Sequence, residues 1–193
     1  MRRRRQRPLR HAAASAADFP AVGDWVAFEP PDAPGPAGPG LIHAVLPRRS
    51  RFSRRAAGTV AYEQVLAANV DFLFLMTGLD GNYNLRRIER YVTQAWESGA
   101  VPVVLLNKSD LCADPEGAVA EVRGSVVGVE VHAVCAGDGE GCQALSPYLQ
   151  AGRTIAIVGS SGVGKSTLIN RLAGAGRLAV HEVRAGDSRG RHT

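Results

Sequence analysis

Lysine is almost missing from this sequence. Of 23 basic residues only two are lysines, Lys108 and Lys165, and the rest are arginines. Cysteine is scarce as well, and the three present (Cys112, Cys135 and Cys142) show no C-x-x-C spacing. This argues against both a disulfide framework and a zinc site built from cysteines. We therefore expect free thiols and a reduced, cytoplasmic protein.

Long hydrophobic runs are also lacking. No stretch approaches the ~18 apolar residues that a membrane-spanning helix needs. The basic start, MRRRRQRPLRH, is followed by AAASAADFP, which has no leucine-rich core. The sequence therefore predicts neither a signal peptide nor a membrane anchor.

The positive charge is concentrated at the front of the chain. Residues 1–58 carry eleven arginines and four carboxylates, a net charge of +7. Residues 59–193 carry twelve basic and fourteen acidic side chains, a net charge of −2. Such an asymmetry is typical of a module that faces nucleic acid, although a solvated face is the alternative explanation.

The front of the chain reads as a basic arm and a small β module. Residues 1–17 hold six arginines and little that can pack, which predicts a disordered arm. In residues 18–58, VGDWVAF and LIHAVLPRR are typical of strands and flank a Pro/Gly loop. RRSRFSRR, residues 48–55, then places five arginines around Phe52. Short strands joined by loops favour an OB-type barrel that binds RNA.

From residue 69 the pattern changes to alternating strands and helices. VDFLFLM is a near-continuous apolar run, as expected for a strand covered on both faces. Asp114 and Pro115 are suited to the N-cap and first position of a helix. Four alternations predict a parallel, doubly wound α/β sheet, with ligands at the carboxyl ends of its strands. The predicted strands are 70–76, 101–106, 129–134 and 154–159, and the predicted helices are 84–98, 114–124, 141–150 and 164–174.

A phosphate-binding loop follows the last of these strands. Gly159, Gly164, Lys165 and Ser166 fit G-x-x-x-x-G-K-[ST], after an apolar strand and before a helix. Backbone N–H groups of such a loop surround phosphates, Lys165 can reach the β- and γ-phosphates, and Ser166 can ligate Mg²⁺. The predicted phosphate-binding set is Gly159, Ser160, Ser161, Gly162, Val163, Gly164, Lys165, Ser166 and Thr167.

A base-reading motif precedes the phosphate loop. Asn107-Lys108-Ser109-Asp110 fits N-K-x-D at the end of a buried strand. The Asp110 carboxylate can accept from two guanine donors that adenine lacks, so it disfavours an ATPase. Asn107 can tether neighbouring loops, and the Lys108 stem can lie across the ring. A simple polar turn after a strand is the alternative explanation.

The loop after the third strand is a weaker candidate. Cys135 and Ala136, in VCAGDGEG, can present backbone N–H groups to guanine O6. An ordinary strand-to-helix connection explains the same residues almost as well. Position within the α/β series favours the functional interpretation.

The base-reading half comes before the phosphate-binding half, the reverse of the usual GTPase order. With VGDWV, LPRRSRFSRR, AANVDFLFLM, NKSD, GSSGVGKSTLIN and GRHT, the chain resembles the circularly permuted RsgA (YjeQ/EngC) GTPase family. The resemblance implies an OB-fold before the GTPase domain of residues 59–193. It also implies binding to the small ribosomal subunit through 16S rRNA, and hydrolysis of GTP to GDP with Mg²⁺. A permuted GTPase acting on the large subunit is the nearest rival, but its pattern lacks the basic β module.

The same resemblance places the hydrolytic residues at the end of the sequence. His192 occupies the place of the family histidine implicated in hydrolysis, and Thr193 that of a switch residue that ligates Mg²⁺. Asp187-Ser188-Arg189-Gly190 matches D-x-x-G formally, but no buried strand precedes it, so we interpret it as a loop. We expect a truncated copy that lacks the family's D-x-x-G strand and zinc-binding domain, so zinc ligands are absent. The strand TIAIV would then form an exposed sheet edge.

Two functions are compatible with these features. One is a GTPase that assists maturation of the small ribosomal subunit, with impaired hydrolysis in this chain. The other is a non-catalytic RNA-binding module that responds to nucleotide. A monomer is expected in either case.

Overall fold

The computed structural model describes residues 15–30, 40–55 and 63–174. The chain divides into two compact units, Met1–Val70 and Asp71–Thr193. The predicted basic arm lies mostly outside the described ranges, and so does the boundary expected between residues 58 and 59. Those two assignments stay predictions.

The first unit contains two antiparallel hairpins. Strand β1 (Val26–Glu29) pairs with β2 (Leu41–Val45), and β3 (Arg51–Arg55) pairs with β4 (Glu63–Ala68). Strand β1 begins later than the pattern predicted because a turn over Ala21–Asp24 includes Gly23 at φ +90°. Within the described residues the four strands form two separate two-stranded sheets, so closure into an OB barrel stays a prediction.

One arginine of the basic cluster has a structural role. Arg48 donates to both carboxylate oxygens of Asp24, at 2.8 and 2.7 Å, and to the carbonyls of Ala17 and Phe19. The Asp24 side chain is almost completely buried. Arg48 therefore joins the turns before β1 to the segment between β2 and β3. Its guanidinium nitrogens are hydrogen-bonded within this unit.

A bulge in β3 affects the neighbouring arginines. The register shifts between Phe52 and Ser53, so the alternation of side chains changes there. Phe52 is buried, whereas Arg51 and Arg54, three residues apart, are both exposed. In a regular strand, residues three apart point to opposite faces. The bulge changes this alternation, and both arginines are exposed to solvent.

The second unit is a four-stranded parallel sheet. The strands are β5 (Phe72–Gly78), β6 (Val101–Asn107), β7 (Glu130–Val134) and β8 (Ile155–Gly159), and the α-helices are α1 (Leu85–Ser98), α2 (Pro115–Ser125) and α3 (Lys165–Leu172). The strand order is β7-β6-β5-β8, so β5 is an inner strand between β6 and β8, and β8 forms an edge of the sheet within the described residues. The predicted last-but-one helix is instead a 3-10 helix over Cys142–Tyr148, which contains Pro147.

Local signals in the sequence account for the helix ends. Asn84 caps α1 by accepting from the Arg87 N–H at 2.9 Å, and Gly99 ends it in the left-handed region at φ +83°. The predicted cap of α2 is confirmed, since Asp114 accepts from the Gly117 N–H at 2.9 Å and Pro115 is the first helical residue.

The core lies on both faces of the sheet. Phe74, Met76, Val103 and Leu105 belong to one buried cluster with residues of α3 and the 3-10 helix. The alternate positions of the same strands, including Leu73, are buried as well. The prediction of a doubly covered apolar strand is therefore confirmed. In the part of the chain that the structure describes, every helix is too short or too polar to cross a membrane.

Candidate functional site

Four loops meet at the carboxyl edge of the parallel sheet. Gly78 of β5 pairs with Asn107 of β6, which pairs in turn with Val134 of β7, and Met76 pairs with Gly159 of β8. The residues that follow these strand ends therefore start at nearly the same level of the sheet. Both predicted motifs and the weaker loop after β7 are brought to one edge, where ligands of open α/β sheets bind.

The phosphate loop has the backbone that its glycines predict. Gly162 and Gly164 adopt φ of +74° and +102°, and α3 begins directly afterwards at Lys165. Ser166 and Thr167 therefore lie in the first turn of α3, where backbone N–H groups and the helix dipole favour an anion. Such a turn is suited to phosphate.

Lys165 reaches back over this loop. Its Nζ donates to the carbonyls of Gly159 at 3.0 Å and Ser160 at 2.7 Å. Burial lowers the pKa of Lys165 below its ordinary value, because desolvation disfavours the charged ammonium. A bound anion would restore the compensating charge at this position.

Asn107 makes the tether that the sequence suggested. The side chain is buried, its Nδ2 donates to the Val163 carbonyl at 2.7 Å, and its Oδ1 accepts from the Ala136 N–H at 2.9 Å. A Cβ on Gly164 would lie 2.4 Å from Asn107 Nδ2, so glycine is required there by space as well as by φ. One amide thus joins the phosphate loop to the loop after β7.

Asp110 is held at the surface by a thiol. It lies in the 3-10 helix Ser109–Leu111, and its Oδ1 accepts from Cys135 Sγ at 3.1 Å. Burial, more than any other influence, raises the pKa of Cys135, and the Asp110 carboxylate raises it further. The protonated thiol is therefore a donor that orients the carboxylate expected to read guanine.

The loop after β7 differs from the expectation in one respect. Both N–H groups predicted to face guanine O6 already have protein acceptors: Cys135 N donates to the Glu140 carbonyl at 2.9 Å, and Ala136 N to Asn107. The reason is that this loop folds back on itself, with Gly139 N donating to the Cys135 carbonyl. A guanine base would therefore have to share the Ala136 N–H group with Asn107. The Cys135 thiol donates instead to Asp110, the residue predicted to read the base.

Sequence reasoning missed two residues in the loop after β5. Asp80 Oδ2 lies 2.5 Å from Lys108 Nζ, and Asn82 Nδ2 donates to Ser160 Oγ at 2.6 Å. The sequence feature that could have indicated these residues is GLDGNYN, a segment rich in Gly, Asp and Asn at the end of a buried strand. Arg171 of α3 was missed as well, and its Nε donates to the Ala136 carbonyl at 2.8 Å.

The predicted hydrolytic residues lie outside the part of the chain that the structure describes. They are His192 and Thr193, and the D-x-x-G match at 187–190 lies outside it as well. Among residues 15–30, 40–55 and 63–174, no three His, Cys, Asp or Glu side chains form a group that could hold a metal ion. Ser166, at the start of α3, is the described residue whose hydroxyl suits Mg²⁺, which prefers few protein oxygens together with phosphate.

Comparison with known proteins points in one direction. The family described as RsgA GTPase matches residues 45–193. The small ribosomal subunit biogenesis GTPase RsgA of Opitutus terrae is 53% identical over 190 residues, which is 96% of this chain and 52% of that protein. RsgA 2 of Lactiplantibacillus plantarum is 45% identical over 185 residues, with 96% and 51% covered. The chain thus spans about half the length of the curated relatives it matches.

Two solved structures resemble this chain, in agreement with the sequence comparisons. The crystal structure of YjeQ from Thermotoga maritima matches with a TM-score of 0.59 and 28% identity, over 79% of this chain and 50% of that one. YloQ, described as a circularly permuted GTPase, matches with a TM-score of 0.54 and the same coverage. Because the two sequences are only 20% identical, this likeness shows the fold alone.

Proposed function

Since the chain belongs to the RsgA GTPase family, we propose that it binds GTP and GDP at the carboxyl edge of the β7-β6-β5-β8 sheet and hydrolyses GTP. One observation carries the proposal. Asn107 of the base-reading motif donates to the Val163 carbonyl of the phosphate loop at 2.7 Å. This contact supports one continuous site made from two motifs that are separated along the chain and stand in permuted order.

Each motif has a distinct task in this proposal. Asp110 accepts from the two guanine donors, the Lys108 stem lies beside the base, and Ser109 closes the turn that presents them. Residues 159–167 surround the phosphates with backbone N–H groups, and the Lys165 ammonium neutralises charge. An adenine nucleotide would leave Asp110 unsatisfied, which is a strong basis for rejection.

The oxygen donors proposed for this site are of the kind that Mg²⁺ binds. Ser166 would ligate the ion beside the phosphates, and Thr193 is the second proposed ligand. When bound, Mg²⁺ neutralises phosphate charge as the γ-phosphoryl group is transferred to water. His192 is proposed to position that water. The described residues bind and orient the nucleotide, and Lys165 stabilises charge on the phosphates.

The first unit is proposed to bind the small ribosomal subunit through 16S rRNA. Support comes from the net charge of +7 on residues 1–58, from the exposed Arg51 and Arg54, and from relatives named as small-subunit biogenesis GTPases. An OB-type barrel is the fold we propose for it. A cytoplasmic monomer is the form we propose for the protein. The non-catalytic alternative is disfavoured because the relatives are named GTPases.

A titration tests the nucleotide site directly. We expect the 193-residue chain to bind GDP saturably in isothermal titration calorimetry, with no binding of ADP at the same concentrations. Asp110→Ala should abolish the preference for GDP. Equal binding of ADP would contradict the guanine-specific assignment, and binding of neither nucleotide would contradict the proposed site.

A further inference from the structure

The loop after β5, residues 79–84, emerges between the two halves of the proposed site. Strand β5 lies between β6, which leads to the base-reading motif, and β8, which leads to the phosphate loop. The Leu79 N–H donates to the Asn107 carbonyl at 2.7 Å, so the loop starts against the end of β6. Its position alone puts it within reach of both neighbouring loops.

Asp80 connects this loop to the base-reading side. Its Oδ2 lies 2.5 Å from Lys108 Nζ, and its Oδ1 accepts from the Asn82 N–H at 3.0 Å. Lys108 has a left-handed backbone at φ +63°, unusual for a residue with a Cβ. The ion pair therefore anchors the side chain of a residue with an uncommon backbone.

The pKa of Asp80 is consistent with this contact. Burial is the largest influence and by itself raises the pKa of Asp80. The hydrogen bonds from Lys108 and the Asn82 N–H, with the charge of Lys108, outweigh it and leave the pKa below its usual value. The two side chains are still 27% and 28% exposed, so water weakens the pair.

Asn82 connects the same loop to the phosphate side. Its Nδ2 donates to Ser160 Oγ at 2.6 Å, and its Oδ1 accepts from the Arg87 guanidinium at 3.0 Å. Arg87, in the first turn of α1, donates to the Asn82 carbonyl as well. The contact with Arg87 of α1 therefore fixes the orientation of the Asn82 amide, and its Nδ2 donates towards the phosphate loop.

We propose that Asp80 and Asn82 are positioning residues of the nucleotide site, which hold Lys108 and Ser160 in fixed relation through the path Lys108–Asp80–Asn82–Ser160. This inference rests on the proposed function. The path is distinct from the buried Asn107 tether because it passes through the loop after β5. It makes the grip on the base depend on the grip on the phosphates, so loss of either link speeds release of GDP.

A double-mutant cycle on the base side tests the first link. We would measure the Kd and dissociation rate of fluorescent GDP for the unchanged chain, Asp80→Asn, Lys108→Met and the double variant. Asp80→Asn should raise the Kd about three- to fivefold, mainly through faster release, as expected for a partly exposed ion pair. Because the two residues act together, the double variant should bind no more weakly than Lys108→Met alone. Glu116→Gln, which removes an exposed carboxylate at the start of α2, is the matched control and should leave the Kd unchanged.

The second link has its own cycle. Asn82→Ala and Ser160→Ala should each raise the Kd about two- to fivefold, again without additivity in the double variant. These variants carry the test if Asp80→Asn does not fold. A readout free of nucleotide is the carboxyl NMR titration of Asp80, whose pKa should rise in Lys108→Met because the hydrogen bond and charge of Lys108, which lower it, are then removed.

The outcomes separate the two proposals. If the unchanged chain binds GDP but the Asp80 and Asn82 variants bind equally well, or their effects add to those of Lys108→Met and Ser160→Ala, the positioning role is wrong. An unmoved pKa of Asp80 in Lys108→Met would also contradict it. Failure of the unchanged chain to bind GDP would overturn the proposed function, and the positioning role with it.

Discussion

At the scale of single residues, buried polar groups separate into those with partners and those without. Asn107 is buried and both ends of its amide are hydrogen-bonded, so it costs little to bury and fixes two loops. Thr77, one residue before the end of β5, is equally buried, but its hydroxyl has no hydrogen-bond partner among the described residues. An unpaired buried hydroxyl reduces stability without fixing anything.

Thr77→Val should therefore be neutral or stabilising. Valine has almost the same shape and suits a strand, and it removes a polar group that burial penalises. We expect the free energy of unfolding, measured in urea, to rise by up to about 1 kcal/mol. Thr93→Val on the exposed face of α1, where the hydroxyl donates to the Glu89 carbonyl, is the matched control and should change little. A loss above about 1 kcal/mol for Thr77→Val would show that its hydroxyl has a partner.

At the scale of elements, a buried charge pair links two separate segments of the first unit. Arg48 and Asp24 join the turns before β1 to the segment after β2. The hydrogen bond from Arg48 is the main cause that lowers the pKa of Asp24, and the Ala21 N–H adds to it against the effect of burial. Because the folded pKa is below the ordinary 3.8, this carboxylate stabilises the folded unit above that value. The contribution is lost as the pH falls through the lowered folded pKa.

Arg48→Met should expose this dependence. At neutral pH it leaves Asp24 buried without its partner, and we expect the first unit to lose about 3 kcal/mol of stability. The loss of stability on acidification below about pH 4 should also become smaller than in the unchanged chain. Urea unfolding followed by Trp25 fluorescence, in a Trp96→Phe background, reports on the first unit.

Arg86→Met is the control for that experiment. Arg86 is 91% exposed on α1 and pairs only loosely with Glu89, at 3.4 Å. Its replacement removes the same charge and should leave both the stability and its pH dependence unchanged. Equal acid sensitivity of Arg48→Met and the unchanged chain would mean that Asp24 does not depend on Arg48.

At the scale of the whole molecule, net charge is distributed unevenly along the chain. The first 58 positions carry a net charge of +7, whereas the predicted nucleotide-binding motifs lie in residues 59–193, which carry a net charge of −2. Arg51 lies 3.3 Å from Glu63, and Arg54 donates to Gln64 at 3.2 Å, both at exposed positions. Such contacts are weak enough for phosphate to replace them.

Salt dependence tests the RNA-binding role that we propose for these arginines. We expect the affinity for a 16S rRNA transcript to fall steeply with salt. Arg51→Ala combined with Arg54→Ala should reduce the slope of log Kd against log salt by roughly 1.5, since each phosphate contact contributes about 0.7–0.9. Arg86→Ala with Arg90→Ala, an equal charge change on α1, is the control and should keep the slope. A salt-insensitive association, or equal slopes for both pairs, would contradict the role.

The sequence by itself determined the features that depend on neighbours along the chain. The cap at Asp114, the strands with continuous apolar runs, and the loop from Gly159 to Ser166 all follow from local backbone preference and hydrophobic pattern. Only the tertiary structure decided which distant groups meet. The order β7-β6-β5-β8 brings Asp80 to Lys108 and Asn82 to Ser160, and folding of the first unit turns Arg48 towards Asp24. The physical reason is that strand order and side-chain pairing come from burial of the whole core, whereas motifs record only local backbone and chemistry.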